Sequence, residues 1–181
     1  MSEIPFILYL IGNPGNGKYT IAKELAKKGF IICDNQLINN PIFTLLNYDG
    51  FSEIPESGWN AIGNIRQAVL DFISITESQN YVLTNCLYEN EGDRQCYEQV
   101  KSVASQRGSL FYPVKLLLSE DENVKRITEP SRRARWKSID PQDIYQNGPL
   151  LTIEDPNLLE LDISQLSAVR AAKIILEHIK Q

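Results

Sequence analysis

Gly12-Asn13-Pro14-Gly15-Asn16-Gly17-Lys18-Tyr19-Thr20 is the stretch of this sequence best suited to chemistry. Its glycines allow backbone N–H groups to turn inward around an anion. A helix opening near Lys18 would present further unpaired N–H groups and a positive dipole end to the same charge. The Lys18 ammonium would bridge terminal phosphates. In the common form of such a loop, a Ser or Thr follows the lysine and binds Mg²⁺. Here Tyr19 stands in that place and Thr20 comes next. The whole stretch is a candidate polyphosphate site, with Thr20 as a candidate metal ligand.

A second group surrounds Asp34, which closes the short apolar run Phe30-Ile31-Ile32-Cys33. In an open parallel sheet, the carboxyl ends of strands face the ligand crevice. A carboxylate there suits two tasks, accepting a proton from a hydroxyl and placing Mg²⁺. Its plainer use is to start a turn or cap the next helix. Thr84 and Asn85 end a further apolar run, where many phosphate-binding enzymes carry a metal-linked Asp. Their hydroxyl and amide suit a metal-bound water or a phosphate, or ordinary strand-end capping. Asn35 and Asn39 lie in an amide-rich stretch that reads as a polar loop. With Arg66 and Asn85 they are the candidate contacts of an acceptor molecule. Phe43, Tyr48, Phe51 and Trp59 form either an aromatic acceptor wall or the core of their own segment.

The third group is cationic. From Lys125 to Lys137 there are six cations, including Arg132, Arg133, Arg135 and Lys137, against the single acid Glu129, so the window is +5. The chain's net charge is −5, which leaves −10 for the remainder.

These groups need elements to hold them. Pro5 to Ile11 is a near-continuous apolar run closed by Gly12, the pattern of a strand buried on both faces. Lys18 to Lys28 has helical spacing and ends at Gly29. Further strands are expected at 30–34, 81–84, 110–118 and 158–163. Helices are expected at 59–77, 93–106, 120–128 and 141–146, with a last one running from Ser164 or Ser167 to Ile179. Strands and helices alternate, which predicts an α/β protein, three layers α/β/α around a five-stranded parallel sheet. Two stretches, 35–58 and 129–157, read as irregular and are long for loops, a length usually tied to function.

The glycine loop resembles that of adenylate kinases and related nucleoside monophosphate kinases, where Gly follows the lysine and Thr comes next. An Asp at the end of the second strand resembles shikimate kinases and chloramphenicol phosphotransferases. The arginine-rich window resembles the lid of these enzymes. The resemblance covers the order of elements along most of the chain, without the acceptor-specific motifs. It implies a P-loop NTPase fold in a single domain, 1–181, with an acceptor-binding insert at 35–66 and a lid at 125–143. It further implies ATP and Mg²⁺, with transfer of the γ-phosphoryl to a hydroxyl of a small molecule. Lys18, Asp34, Arg132, Arg133 and Arg135 would then be catalytic, and Thr20 and Asp34 would organise the metal. The connection from Pro149 to Pro156 borders the adenine in similar kinases. Two alternatives stay open: a nucleoside monophosphate kinase-like enzyme, and a nucleotide-binding regulatory protein with weak ATPase activity.

Composition limits the remaining classes. The chain has 181 residues, 43% hydrophobic and 23% charged, which suits one globular domain. Its acidity argues against a general nucleic-acid partner. One histidine and three cysteines without a C-x-x-C pair offer no zinc-site pattern. The N-terminus lacks a basic segment, and the first apolar run is too short for a signal or a membrane span. A cytoplasmic protein, monomer or homodimer, without membrane partners is the expectation.

Overall fold

β1 (Phe6–Ile11) is apolar throughout, and Ile7 to Ile11 are buried. Such a strand has no wet face, so it belongs at the centre of a sheet covered on both sides. In this computed structural model, which describes residues 4–129, 132, 137, 139–142 and 148–180, it does. The other strands are β2 (Phe30–Cys33), β3 (Asn80–Asn85), β4 (Leu110–Leu117) and β5 (Leu159–Asp162). They run in the order β2-β3-β1-β4-β5, and every pairing is parallel. The helices are α1 (Lys18–Ala26), α2 (Asn35–Leu45), α3 (Glu56–Ser74), α4 (Glu91–Arg107), α5 (Glu120–Ile127) and α6 (Ala168–His178).

Alternate residues of the strands feed two separate cores, as the two-residue period of a strand requires. Ile7, Tyr9 and Ile11 join Tyr81, Leu83 and Cys33, packed with Ile38 of α2, Ile62 and Leu70 of α3 and Tyr97 of α4. Leu8 and Leu10 join Val82, Val114 and Leu116 on the other face, packed with Ile21 and Leu25 of α1 and Ala171 and Ile175 of α6. Each fully buried Leu or Ile contributes ~1.5–3 kcal/mol relative to exposure. No helix among the described residues is long and apolar enough to cross a membrane.

One sequence expectation is corrected. The stretch 35–58 is largely ordered secondary structure: α2 begins directly after Asp34, and α3 starts at Glu56. Its asparagines and Pro41 conceal an apolar face, Ile38 and Phe43 buried with Ile42 packed beside them. Pro41 removes a backbone donor inside the helix, a cost of ~3 kcal/mol, and burial of that face offsets it. Glu89 and Asp93 fix the start of α4 through backbone hydrogen bonds. The Asp93 carboxylate accepts from Tyr88 N at 2.7 Å, while Asn90 caps α4 by accepting from Asp93 N at 2.9 Å. Glu89 accepts from Thr152 N at 2.7 Å and pairs with Arg94, joining the start of α4 to the chain after residue 148. Of the two starts expected for the last helix, Ser167 is the cap of α6, its hydroxyl accepting from Arg170 N at 3.2 Å. The helix expected at 141–146 lies mostly outside the described residues.

Candidate active site

The glycine loop follows β1 at the carboxyl edge of the sheet. Gly15 and Gly17 both lie at positive φ, +91° and +73°. Gly17 is the N-cap of α1 and has no side chain with which to cap it. The first-turn N–H groups of α1 are therefore presented by a residue that leaves room for an anion. Lys18 bends back over the loop, its Nζ donating to Gly12 O at 2.5 Å and to Asn13 O at 2.9 Å. Burial lowers its pKa to about 8, and the neighbouring cations Lys137 and Arg132 push the same way.

Two asparagines clamp this loop: Asn16, already part of the candidate polyphosphate stretch, and Asn123, which sequence reasoning missed. Asn16 Nδ2 donates to Leu116 O of β4 at 2.7 Å, and Asn123 Nδ2 of α5 donates to Pro14 O at 2.6 Å. Both residues are 1% exposed. Their partners lie 100 and 109 residues away in sequence, so no local pattern could reveal them.

Asp34 stands at the end of β2, and β3 lies between that strand and β1. A β3 residue therefore bridges the gap. Thr84 Oγ1 donates to Asp34 Oδ1 and accepts from Asn35 N at 3.1 Å. The second carboxylate oxygen of Asp34 faces Lys137 Nζ at 3.6 Å. The Lys137 ammonium also lies 5.1 Å from the centre of the Tyr19 ring, and Lys23 lies 5.4 Å from it. Tyr19 is thus a cleft residue flanked by two cations.

One cleft of about 830 Å³ connects these groups. Residues 14–20, Asp34, Thr84 and Asn85 line it, and so do Arg132 and Lys137. Lys125 and Arg126 also line it, both paired with Glu122. Arg133 and Arg135 lie outside the described residues. Thr20 lines the cleft and is exposed. Asn35 and Asn39 reach it from α2, together with Gln36, Phe43, Tyr48 and Trp59. Arg66 does not; its Nη2 sits behind the cleft, 3.5 Å from Asn35 Oδ1. Asn85 is at the cleft wall with its amide engaged internally, Nδ2 donating to Tyr9 OH at 3.2 Å and Oδ1 accepting from Cys86 N at 2.8 Å.

The segment expected beside a nucleotide base is also displaced. No residue from 149 to 156 lines the cleft, and Leu151 and Ile153 are buried in the core on the α2–α4 side. Ile163, Leu166, Ala168 and Ala171 supply an apolar lining instead. His178, at the end of α6, is half-buried with its Nε2 3.1 Å from Asn157 O.

Comparison with known proteins gives a likeness in fold. No family model matches the chain. No curated protein sequence matches it either. Among solved structures, a shikimate kinase from Acinetobacter baumannii, in complex with shikimate, is similar at TM-score 0.60 and 20% identity, covering 99% of this chain and 94% of that one. A gluconokinase from Sinorhizobium meliloti is similar at TM-score 0.59 and 16% identity, covering 98% and 94%. An adenosine phosphosulfate (APS) kinase from Mycobacterium tuberculosis, in complex with AMPPNP and APS, is similar at TM-score 0.58 and 14% identity, covering 98% and 99%. With its parallel sheet, its glycine loop between β1 and α1 and its cleft at the carboxyl edge, this chain has the fold of the small P-loop kinases.

Proposed function

We propose that this protein is an ATP-dependent phosphotransferase acting on a hydroxyl of a small molecule. The observation that carries this reading is the shared cleft, with the glycine loop and Lys18 on one wall and Asp34, fixed by Thr84, on another. A hydrolase needs only water next to a phosphate. A carboxylate held toward a separate amide and aromatic surface suits an acceptor that brings its own hydroxyl.

In this account the triphosphate lies on residues 12–20, with its base toward Ile163 and Leu166. Lys18 leaves the Gly12 and Asn13 carbonyls to bridge phosphate oxygens. Arg132 and the cations after it stabilise charge that spreads over the equatorial oxygens during transfer. The acceptor oxygen forms a bond to the γ-phosphorus as the bond to the β–γ bridging oxygen breaks. Its proton passes to Asp34 and from there to solvent, and ADP leaves. Mg²⁺ takes oxygen ligands, usually a few protein oxygens completed by phosphates and water. The Thr20 hydroxyl and the Asp34 carboxylate fit that donor set, and the ion would neutralise the β- and γ-oxygens. Residues 35–66 serve as the acceptor-binding insert and 125–143 as the lid.

Tyr19, in the usual place of the metal-binding hydroxyl, favours a second reading, a nucleotide-binding protein with slow turnover. A screen of hydroxyl acceptors for stimulated ADP formation separates the two. Stimulation by an acceptor supports the transferase, whereas slow ADP release unaffected by any acceptor supports the binding protein. Lys18→Ala is expected to weaken ATP binding strongly and to abolish turnover; unchanged ATP affinity in that variant would refute the loop assignment.

A further inference from the structure

The acceptor end of the cleft carries a chemical preference of its own. Gln36, Asn39 and Phe43 are spaced i, i+3, i+7 on α2, so they form one stripe, and all three line the cleft. Asn39 is 5% exposed, and its Oδ1 is buried without a hydrogen-bond partner within the chain. The Oε1 of Gln36 is in the same condition. A buried amide atom left unpaired is destabilising, and a hydrogen-bonding ligand would relieve that cost. Beside these amides stand aromatic rings. Phe43 is 4.8 Å from Tyr48 and 6.3 Å from Trp59 between ring centres, the Trp59 contact edge-on. Trp59 stays 50% exposed, with ring surface still open to a partner.

Charge sharpens the preference. Residues 35–65 hold no Lys, Arg or His and three acids, Asp49, Glu53 and Glu56, a formal −3. The cations among the described residues lining the cleft come from the loop and α1, from α5 and beyond, and from Lys137, which faces Asp34 and the Tyr19 ring. The insert's one cation, Arg66, does not line the cleft, so an anionic acceptor would meet no cation from the insert. A cationic one would meet no acid from it, because none of the three lines the cleft; Asp49 is occupied with the turn at Phe51 and Ser52. What remains are neutral amides and flat rings.

We propose that the acceptor is an uncharged, flat, hydrogen-bonding hydroxyl compound of the nucleoside class, held by Asn39 and Gln36 and stacked against the Phe43–Trp59 corner. This rests on the reading of the cleft as a phosphotransferase site. Pyrimidine nucleosides are suitable probes, with the nucleotide site filled by a non-hydrolysable ATP analogue. Calorimetry and tryptophan emission would be recorded for cytidine and uridine, their 5′-monophosphates, the carboxylates shikimate and gluconate, and an aminoglycoside. The expected result is saturable binding of a nucleoside with a change in Trp59 emission, and weaker binding of its monophosphate. Asn39→Leu is expected to weaken the nucleoside ~10-fold with analogue affinity unchanged. Trp59→Leu, at an exposed position that does not threaten folding, is expected to weaken it as well. Preferential binding of a monophosphate, a carboxylate or the aminoglycoside overturns the proposal, and so does the absence of saturable binding by any nucleoside. Transfer of phosphoryl to a carboxylate-bearing acceptor would overturn it while upholding the kinase reading. Nucleoside binding without transfer would uphold the acceptor class and remove the kinase reading.

Discussion

Thr84 shows how much one hydroxyl can carry. It donates to Asp34 and accepts from the first N–H of α2, so it sets both the carboxylate and the start of that helix. Thr84→Val keeps the shape and removes the hydroxyl. We expect kcat to fall ~10-fold, the worth of one hydrogen bond to a charged group, with little change in nucleotide affinity. Thr84→Ser should restore most of the loss; equal damage from both changes would mean that packing alone matters. Lys18 offers a second test. Its pKa is lowered to about 8 by burial, so below that pH it is already charged when a triphosphate arrives. Above it, binding must also take up a proton. Affinity for an ATP analogue is therefore expected to be flat up to about pH 8 and to fall above it, by up to ~10-fold per pH unit. Lys18→Met should bind weakly with no such fall. The placement of Gly12 to Thr20 between β1 and α1, and of Asp34 at the end of β2, was visible in the sequence because strand, turn and helix signals converge there. The partner of Asp34 was not, because sheet order, which no local pattern encodes, places Thr84 of β3 beside it.

The loop and the helices around it form a tight joint. A Cβ on Gly15 would lie 2.5 Å from Asn123 Nδ2, at a φ of +91° that side chains rarely adopt. Gly17 has a φ of +73° and open space around the same position. Gly17→Ala is therefore expected to cost only the left-handed backbone, ~1–2 kcal/mol by denaturant unfolding. Gly15→Ala should cost more and weaken nucleotide binding. Adding Asn123→Ala should not rescue it, since the backbone conformation and the Asn123 carbonyl at 3.3 Å both remain. Full rescue would show that the side-chain clash was the whole effect. At this scale the legible elements were those with apolar runs or clean helical spacing, such as β1 and α1. α2 was hidden because its Asn residues and Pro41 signal a loop, while burial of Ile38 and Phe43 decides the structure. Tertiary packing overrides propensity there.

Across the whole molecule, the net −5 conceals a division. On the proposed function, Lys18, Arg132 and their neighbours mark the nucleotide end of the cleft, and the neutral amides and rings of residues 36–59 mark the acceptor end. Triphosphate affinity should therefore weaken several-fold between ~50 and ~200 mM salt, whereas affinity for a neutral acceptor should hardly change. Equal salt dependence for both ligands would argue against the division. The three-layer architecture followed from the alternation of strands and helices, a property of the entire chain. The sheet order and the path of residues 149–156 depend on long-range contacts, so they emerged only from the three-dimensional structure.

The central claim is phosphoryl transfer to a hydroxyl assisted by Asp34. The most direct measurement follows label from [γ-³²P]ATP into acceptor, comparing the native protein with Asp34→Asn. Labelled acceptor is expected with the native protein, and a loss of ~10²–10⁴-fold in the variant while it still binds ATP. Transfer at the native rate by Asp34→Asn, or label released only as inorganic phosphate whatever acceptor is present, would contradict it.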